Sequence, residues 1–404
     1  MISDTNIYSA AKVLEGNILK TPQITSPMLS ESLNCELFLK LECLQYTSSF
    51  KARGAYVAME TLDSAQKKKG VIAMSAGNHA QAVAYHAGKM NIPVVIVMPA
   101  QTPFSKIART KAFGAEVVLQ GRNLNECETK VEELVSSRGL TLIHPYDNAS
   151  VIAGQGTVGL EMVSDQPDLD VLVVPIGGGG LISGIATIIK ALKPNIRIIG
   201  VQSELYPSMQ TAIYGGDLKC KGESLAEGIA VKRPGELTLP IIRSLVDEIV
   251  LVSEKHLEWA VSALVEQQRI VSEGAGAAGI AAIHAFPELF SGYKVGAVVC
   301  GGNIDPRLLS SILNRNMAID GRIARLRIDI TDEPGMLAAI TDCIGRCGAN
   351  IIEIYHQRLF FDVPAKLAKI DAIIETRDLG HIQEIITDLE NKHFKVRLLK
   401  ELSD

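Results

Sequence analysis

Short, continuous apolar runs alternate with stretches of helical spacing over roughly the first 315 residues. Gly70-Val71-Ile72-Ala73-Met74, Val94-Val95-Ile96-Val97-Met98, Ala115-Glu116-Val117-Val118-Leu119 and Leu140-Thr141-Leu142-Ile143 read as strands. Helical patterns separate them over Ala80 to Met90, Ser105 to Phe113 and Asn125 to Arg138. The alternation resumes with a helix over Gln155 to Val163, a strand at Val171-Leu172-Val173-Val174, a helix over Leu181 to Leu192 and a strand over Ile196 to Gln202. A strand at Ile249 to Val252, a helix over Glu254 to Gln268, a small-residue helix over Gly276 to Ala285 and a last strand over Lys294 to Cys300 follow. Strands that are apolar throughout and separated by helices belong to parallel sheets covered on both faces. Two such α/β lobes are expected within residues 1–315, fed by the run Leu37 to Leu41, with a smaller lobe at about 52–145 inserted in the larger. At the N-terminus, Ile7, Ala10, Ala11, Leu14 and Ile18 predict a helix over 6–20, ended by Thr21-Pro22.

From Arg322 the period changes. Ala324 to Ile330 alternates as a half-buried strand does, and Asp332-Glu333-Pro334-Gly335 reads as a turn. A helix over Met336 to Arg346, strands over Asn350 to Phe361 and Leu367 to Thr376, a helix over Ile382 to Lys392 and a strand over Lys395 to Leu399 complete the order βαββαβ. That order is ferredoxin-like. Residues 322–404 are therefore an appended module, with Asn314 to Gly321 as the expected linker.

Composition narrows the function classes. Apolar residues make up 47% of the 404 and charged residues 21%, as in an ordinary globular protein of two or three domains. The net charge of −5, without any block of like charge, leaves no footprint for nucleic acid or an anionic membrane. The longest uncharged stretch, Val171 to Ile189, is broken by Pro175 and four glycines, so no membrane span is expected. No basic-then-apolar leader opens the chain, and a cytoplasmic setting is expected. Seven scattered cysteines without a Cys-x-x-Cys pair point to free thiols, and the eight histidines show no metal-ligand spacing.

The most specific local signal is Pro175-Ile176-Gly177-Gly178-Gly179-Gly180-Leu181, between an apolar strand and an apolar helix. Successive residues without side chains let backbone amides converge on a phosphate at a helix N-terminus. No Lys-Ser/Thr follows, which excludes a nucleotide P-loop. Two Gly-x-Gly-x-x-Gly matches, Gly154/Gly156/Gly159 and Gly274/Gly276/Gly279, lack the acidic residue closing a second strand and read as close helix packing. Ser75-Ala76-Gly77-Asn78-His79 follows a strand and opens a helix, where it caps that helix or grips a carboxylate. Cys300-Gly301-Gly302-Asn303 follows the last strand. Ser49-Phe50-Lys51-Ala52-Arg53-Gly54 sets a lysine beside an aromatic ring. Alone, Lys51 reads as a surface lysine. Together with a phosphate loop in a sheet-end crevice it becomes a candidate carrier of pyridoxal phosphate (PLP) as a Schiff base.

In this order and spacing, Ser-Phe-Lys-x-Arg-Gly, Ser-Ala-Gly-Asn-His, Gly-Gly-Gly-Gly-Leu and Cys-Gly-Gly-Asn resemble the serine/threonine dehydratases of the tryptophan-synthase-β-like, fold type II PLP enzymes. The resemblance covers residues 1 to about 315. The C-terminal module resembles an ACT domain at Asp332-Glu333-Pro334-Gly335-Met336-Leu337, and a single such module resembles the medium-length threonine ammonia-lyases. The resemblance implies α,β-elimination from L-threonine to 2-oxobutanoate and ammonia, with slower action on L-serine. It assigns Lys51 to the cofactor and to the Cα proton, Phe50 to the ring face and Asn78 to the ring hydroxyl. Gly177, Gly178, Gly179, Gly180 and Leu181 take the phosphate, and Cys300 faces the ring nitrogen. Ser75, Ala76, Asn78 and His79 surround the substrate carboxylate.

A thiol does not hold the ring nitrogen protonated, which favours elimination. Related serine racemases carry a second serine where Ala76 stands and bind a divalent ion where Gln202, Tyr206 and Ser208 stand here, so racemisation and that metal are not expected. The ACT resemblance implies a homodimer or homotetramer and a branched-chain amino-acid effector near Gly335, Met336, Leu337, Asn350, Ile351 and Ile352. Alternatives are a serine or 3-hydroxyaspartate dehydratase/racemase and, from another class, a non-catalytic amino-acid sensor.

Overall fold

The computed structural model describes residues 2–122, 124–357 and 366–399. By internal contacts the chain divides into two compact units, residues 1–304 and 305–404.

In the first unit, strands β1 (Gln23–Thr25) and β2 (Glu36–Lys40) come before β3 (Val71–Met74), β4 (Val94–Met98), β5 (Glu116–Leu119) and β6 (Thr141–Leu142). Strands β7 (Val171–Pro175), β8 (Arg197–Ser203), β9 (Glu248–Val252) and β10 (Lys294–Val298) follow. They make a six-stranded sheet of order β1-β2-β10-β7-β8-β9 and a four-stranded sheet of order β5-β4-β3-β6. Only β1 runs antiparallel to its neighbour. Every residue of β4 and β7 is buried, as continuous apolar strands require when helices cover both faces. The small sheet is an insertion between β2 and β7. The first strands belong to the large sheet alone, since the helix Lys51–Glu60 carries the chain across before β3 begins.

Helices cross closely where glycines allow it. A Cβ on Gly154 would sit 2.7 Å from the Cα of Gly54, and one on Gly184 would sit 2.3 Å from the Ile152 carbonyl. Gly154 and Gly156 lie inside the helix Ala149–Asp165, and Gly274 and Gly276 inside Gly274–Ala285. Beneath the helix Lys51–Glu60 lies a buried ion network. The Arg53 guanidinium, fully buried, donates to both carboxylate oxygens of Glu42 at 2.7 and 2.8 Å, to Glu161 at 2.6 and 2.9 Å and to Thr157 Oγ1 at 3.0 Å. Lys40 Nζ reaches Glu161 at 2.6 Å. Two cations thus face two carboxylates, the balance a buried cluster needs. Burial pushes Glu161 up, but Arg53 and Lys40 outweigh it and hold its carboxyl below the usual range.

The second unit starts with the helix Pro306–Ile319, followed by β11 (Ile323–Thr331), the helix Met336–Arg346, β12 (Asn350–Gln357), β13 (Leu367–Glu375), the helix Leu379–Asn391 and β14 (Lys395–Leu399). Its antiparallel sheet has the order β12-β13-β11-β14, as in ferredoxin-like folds. Leu326, Ile328, Ile340, Ile370, Ile374 and Ile385 fill the space between sheet and helices.

Several expectations shift. The first helix is Asp4–Leu14, not 6–20, because Gly16 turns left-handed at φ +74°. The expected linker Asn314 to Gly321 is mostly the end of the helix Pro306–Ile319, whose Asp305 side chain caps it. The strand expected to reach Phe361 is described to Gln357, and its remainder lies outside the described residues. Helices also form at Pro27–Leu33, Ser208–Tyr214 and Thr238–Leu245, segments to which the alternation above assigned no element. Among the described residues, no helix is long and apolar enough to cross a membrane.

Candidate active site

Backbone bonds tie the sequence motifs together just beyond the carboxyl ends of the parallel strands. The Phe50 amide donates to the Cys300 carbonyl at 3.1 Å, the Gly302 amide to the Ser48 carbonyl at 2.9 Å, and Ser49 bridges Gly301. Lys51, first residue of its helix, is thereby set beside Cys300. Asn303 Nδ2 donates to the Thr47 carbonyl at 2.9 Å and to Asn78 Oδ1 at 2.5 Å, bringing in the segment after β3. Asn78 Nδ2 in turn donates to Glu273 Oε1 at 2.7 Å.

Pro145 and Tyr146 connect this cluster to the glycine loop. Lys51 Nζ donates to the Pro145 carbonyl at 2.7 Å. The Tyr146 ring covers Gly178 so closely that a Cβ there would lie 2.3 Å from ring carbons. Thr238 Oγ1 and the Gly235 amide donate to the Gly178 carbonyl at 2.6 and 3.3 Å, fixing the loop from the far side. Gly179, at φ +97°, adopts a conformation that residues with side chains rarely take. The Ser183 amide makes the first bond of the helix Gly180–Leu192, to the Gly179 carbonyl, so the amides of that first turn have no partner within the helix.

The electrostatics follow from burial. The Lys51 amine is pushed down to about 8, desolvation outweighing the pull of Cys300 and Glu273. Burial lifts the Glu273 carboxyl to about 7, against the Asn78 hydrogen bond and Lys51. It also raises the Cys300 thiol well above its ordinary range, with Glu273 adding to the effect. His79 is pushed down to about 3 by burial and then by Lys51, so the imidazole is neutral with Nε2 on the Ile143 carbonyl at 2.7 Å. Ser75, Ala76 and Asn78 are half-buried at the helix start, and the Gly77 amide donates to Ser75 Oγ at 3.2 Å.

These features fit PLP. A lysine amine with a depressed pKa is a nucleophile for an aldehyde near neutral pH. A loop that excludes Cβ atoms and presents unpaired amides at a helix N-terminus suits a phosphate. A neutral thiol suits an unprotonated ring nitrogen. Residues 14–301 match the model of the pyridoxal-phosphate dependent enzymes. The chain belongs to that family.

Within this PLP-dependent family, the chain is 41% identical to an L-threonine ammonia-lyase of Thermotoga maritima over 401 residues, 99% of this chain and 100% of the relative. It is 45% identical to a catabolic L-threonine dehydratase of Escherichia coli (strain K12) over 311 residues, 76% of this chain and 94% of the relative. Among solved structures, a serine racemase from Dictyostelium discoideum superposes with a TM-score of 0.71 at 35% identity, covering 75% of this chain and 99% of that one. The two parallel-sheet lobes are those of the fold type II PLP enzymes.

Four residues of the cluster carried no role in the sequence reading: Glu273, Tyr146, Thr238 and Asn303. Glu273 had a faint signal, as the sole acidic side chain between Arg269 and the small-residue helix. At the positions compared with a metal site, Gln202 Oε1 accepts from the amides of Met209 and Gln210 at 3.0 and 2.9 Å, and Ser208 Oγ donates to the Val231 carbonyl at 2.6 Å. Tyr206 donates to the Gly222 carbonyl at 2.7 Å.

In the second unit, Gly335 has φ +92° and caps the helix begun by Met336 and Leu337, while Asn350, Ile351 and Ile352 start the edge strand β12 with a bulge. The 11-residue helix Met336–Arg346, about 16 Å long, lies between the two groups in the chain.

Proposed function

We propose that this PLP enzyme is an L-threonine ammonia-lyase, eliminating water from L-threonine to give 2-oxobutanoate and ammonia, and acting more slowly on L-serine. Bound PLP supplies the electron-withdrawing ring that makes the substrate Cα–H acidic. The chain's residues supply the rest. Gly177 to Leu181 hold the phosphate, and Phe50, whose ring centroid lies 5.1 Å from Lys51 Nζ, flanks the ring. Asn78 takes the ring hydroxyl, held by Glu273 and Asn303. Ser75, Ala76, Asn78 and His79 receive the substrate carboxylate at a helix N-terminus. Lys51 would take the Cα proton, and an amine pushed down to about 8 suits a base near neutral pH. Cys300 faces the ring nitrogen.

What favours elimination over racemisation is Ala76, whose methyl group offers no acid or base where the related serine racemases carry a second serine. With purified protein and L-threonine, 2-oxo acid is expected to accumulate, and Lys51→Ala to abolish it. Absence of product, or an unchanged rate in Lys51→Ala, overturns the assignment. Binding of threonine without turnover favours the sensor alternative.

The second unit is proposed to be an ACT domain. Supporting this are its strand order and the match of the Thermotoga relative across the whole chain. Since Gly335–Leu337 and Asn350–Ile352 stand apart in one chain, an effector site using both needs two copies, in a homodimer or homotetramer. Isothermal titration is expected to show isoleucine or valine binding, with an altered rate at fixed threonine. No heat and no rate change remove this assignment. The seven free thiols support a cytoplasmic setting.

A further inference from the structure

Three ligand-type side chains converge in the second unit, remote in sequence from the PLP residues. Cys343 and Cys347 lie four apart along the last turns of the helix Met336–Arg346 and its cap, so their side chains share one face. Asp388, on the neighbouring helix Leu379–Asn391, reaches across: Cys343 Sγ donates to Asp388 Oδ2 at 2.7 Å. The two sulfurs and a carboxylate oxygen all lie within 4.8 Å of one another. Around a tetrahedral zinc, with bonds of about 2.3 Å to sulfur and about 2.0 Å to oxygen, ligand atoms sit roughly 3.5–3.8 Å apart.

We infer that Cys343, Cys347 and Asp388 form a binding site for a thiophilic divalent cation, zinc being the fitting case. Two thiolates and one carboxylate are a borderline-soft donor set. Cys343 is fully buried, whereas Cys347 and Asp388 are half-buried, so the ion enters from solvent and keeps a fourth position for water. On binding, both thiols release their protons to solvent and the hydrogen bond from Cys343 to Asp388 is replaced by two metal bonds. The proton that Cys343 donates to Asp388 is the one an incoming cation displaces. The three anionic ligands exceed the charge of a divalent ion by one, and cations are at hand. Lys392 Nζ stands 3.4 Å from Asp388, and Arg346 adds positive potential there. His381 Nε2 sits 2.8 Å from the Cys347 carbonyl, fixing the backbone behind that ligand. The ion would pin the two helices together on one side of the sheet.

The site owes nothing to the PLP reaction and is tested apart from it. The full-length holoenzyme, stripped with a chelator and reduced, is incubated with zinc and passed through gel filtration. One zinc per chain is expected to be retained by the wild type and lost in the Cys343→Ser/Cys347→Ser variant. Asp388→Asn is expected to weaken retention at least tenfold in competition with a chromophoric chelator. Cobalt in place of zinc is expected to give the red-region bands of tetrahedral thiolate coordination. Circular dichroism of the variants establishes that they fold. No retained zinc in the wild type, or equal retention in the double variant, overturns the site. A Cys343–Cys347 disulfide found by mass spectrometry in protein isolated without reductant also overturns it, in favour of a thiol redox pair.

Discussion

Asn78 Nδ2 and Glu273 Oε1 are joined by a 2.7 Å hydrogen bond that couples the start of the helix Asn78–Lys89 to the start of the helix Gly274–Ala285. It links a side chain assigned to the cofactor ring with a half-buried residue whose carboxyl is pushed up to about 7 by desolvation. A carboxyl raised by burial binds its proton in the folded protein where the unfolded chain has released it. Stability therefore falls as pH rises from about 4.5 to about 7. Glu273→Gln keeps an acceptor for Asn78 and removes the titration. Urea unfolding over this range is expected to show a flatter pH dependence in the variant, and its pH–rate profile to lose a limb near 7.

Lys51 titrates in the opposite sense. Its depressed pKa means that the unfolded chain binds the extra proton between about 8 and 10.5, so the apoprotein gains stability as pH rises through that window. The neutral amine is the form that attacks an aldehyde. The rate at which apoprotein takes up PLP is expected to climb with pH and level off just above 8, well below the range of an ordinary lysine. Lys51→Ala is expected to show no Schiff-base absorption at any pH.

A methyl group at position 178 meets the Tyr146 ring. Gly178→Ala is expected to weaken PLP binding by more than tenfold, read by fluorescence titration of the apoprotein. Opening the space with Tyr146→Ala in the same chain is expected to restore part of the loss, the non-additivity of two groups in contact. Equal PLP affinity in Gly178→Ala and wild type would show that the loop moves freely.

Arg53 holds the fully buried Glu42 and the mostly buried Glu161. Arg53→Met takes the guanidinium from Glu42 and leaves Glu161 its bond to Lys40, and removing a partner from a buried pair costs about 3–5 kcal/mol. Chemical denaturation is expected to show that loss. Arg53→Lys is expected to recover little, since an ammonium cannot engage both carboxylates in bidentate fashion.

The strands of both lobes were legible because continuous apolar runs such as Val94 to Met98 have one stable setting, the middle of a covered sheet. The module after residue 322 was legible because Arg325, Arg327 and Asp329 alternate with buried Leu326 and Ile328. The motifs around Lys51, Ser75, Gly177 and Cys300 were legible as chemistry, but the partners that join them were not. Pro145, Tyr146 and Glu273 act by position, and nothing in their local sequence says which side chain they will meet. Asp388 likewise pairs with Cys343 only because two helices pack, 45 residues apart in the chain. Helix ends failed where one glycine decided them, as at Gly16.

The four-stranded lobe interrupts the six-stranded one, so the chain passes between them twice, outward at Lys51 and back at Pro145. The bond from Lys51 Nζ to the Pro145 carbonyl fastens these two crossings to each other. Any swing of one lobe against the other must therefore stretch or relieve that contact.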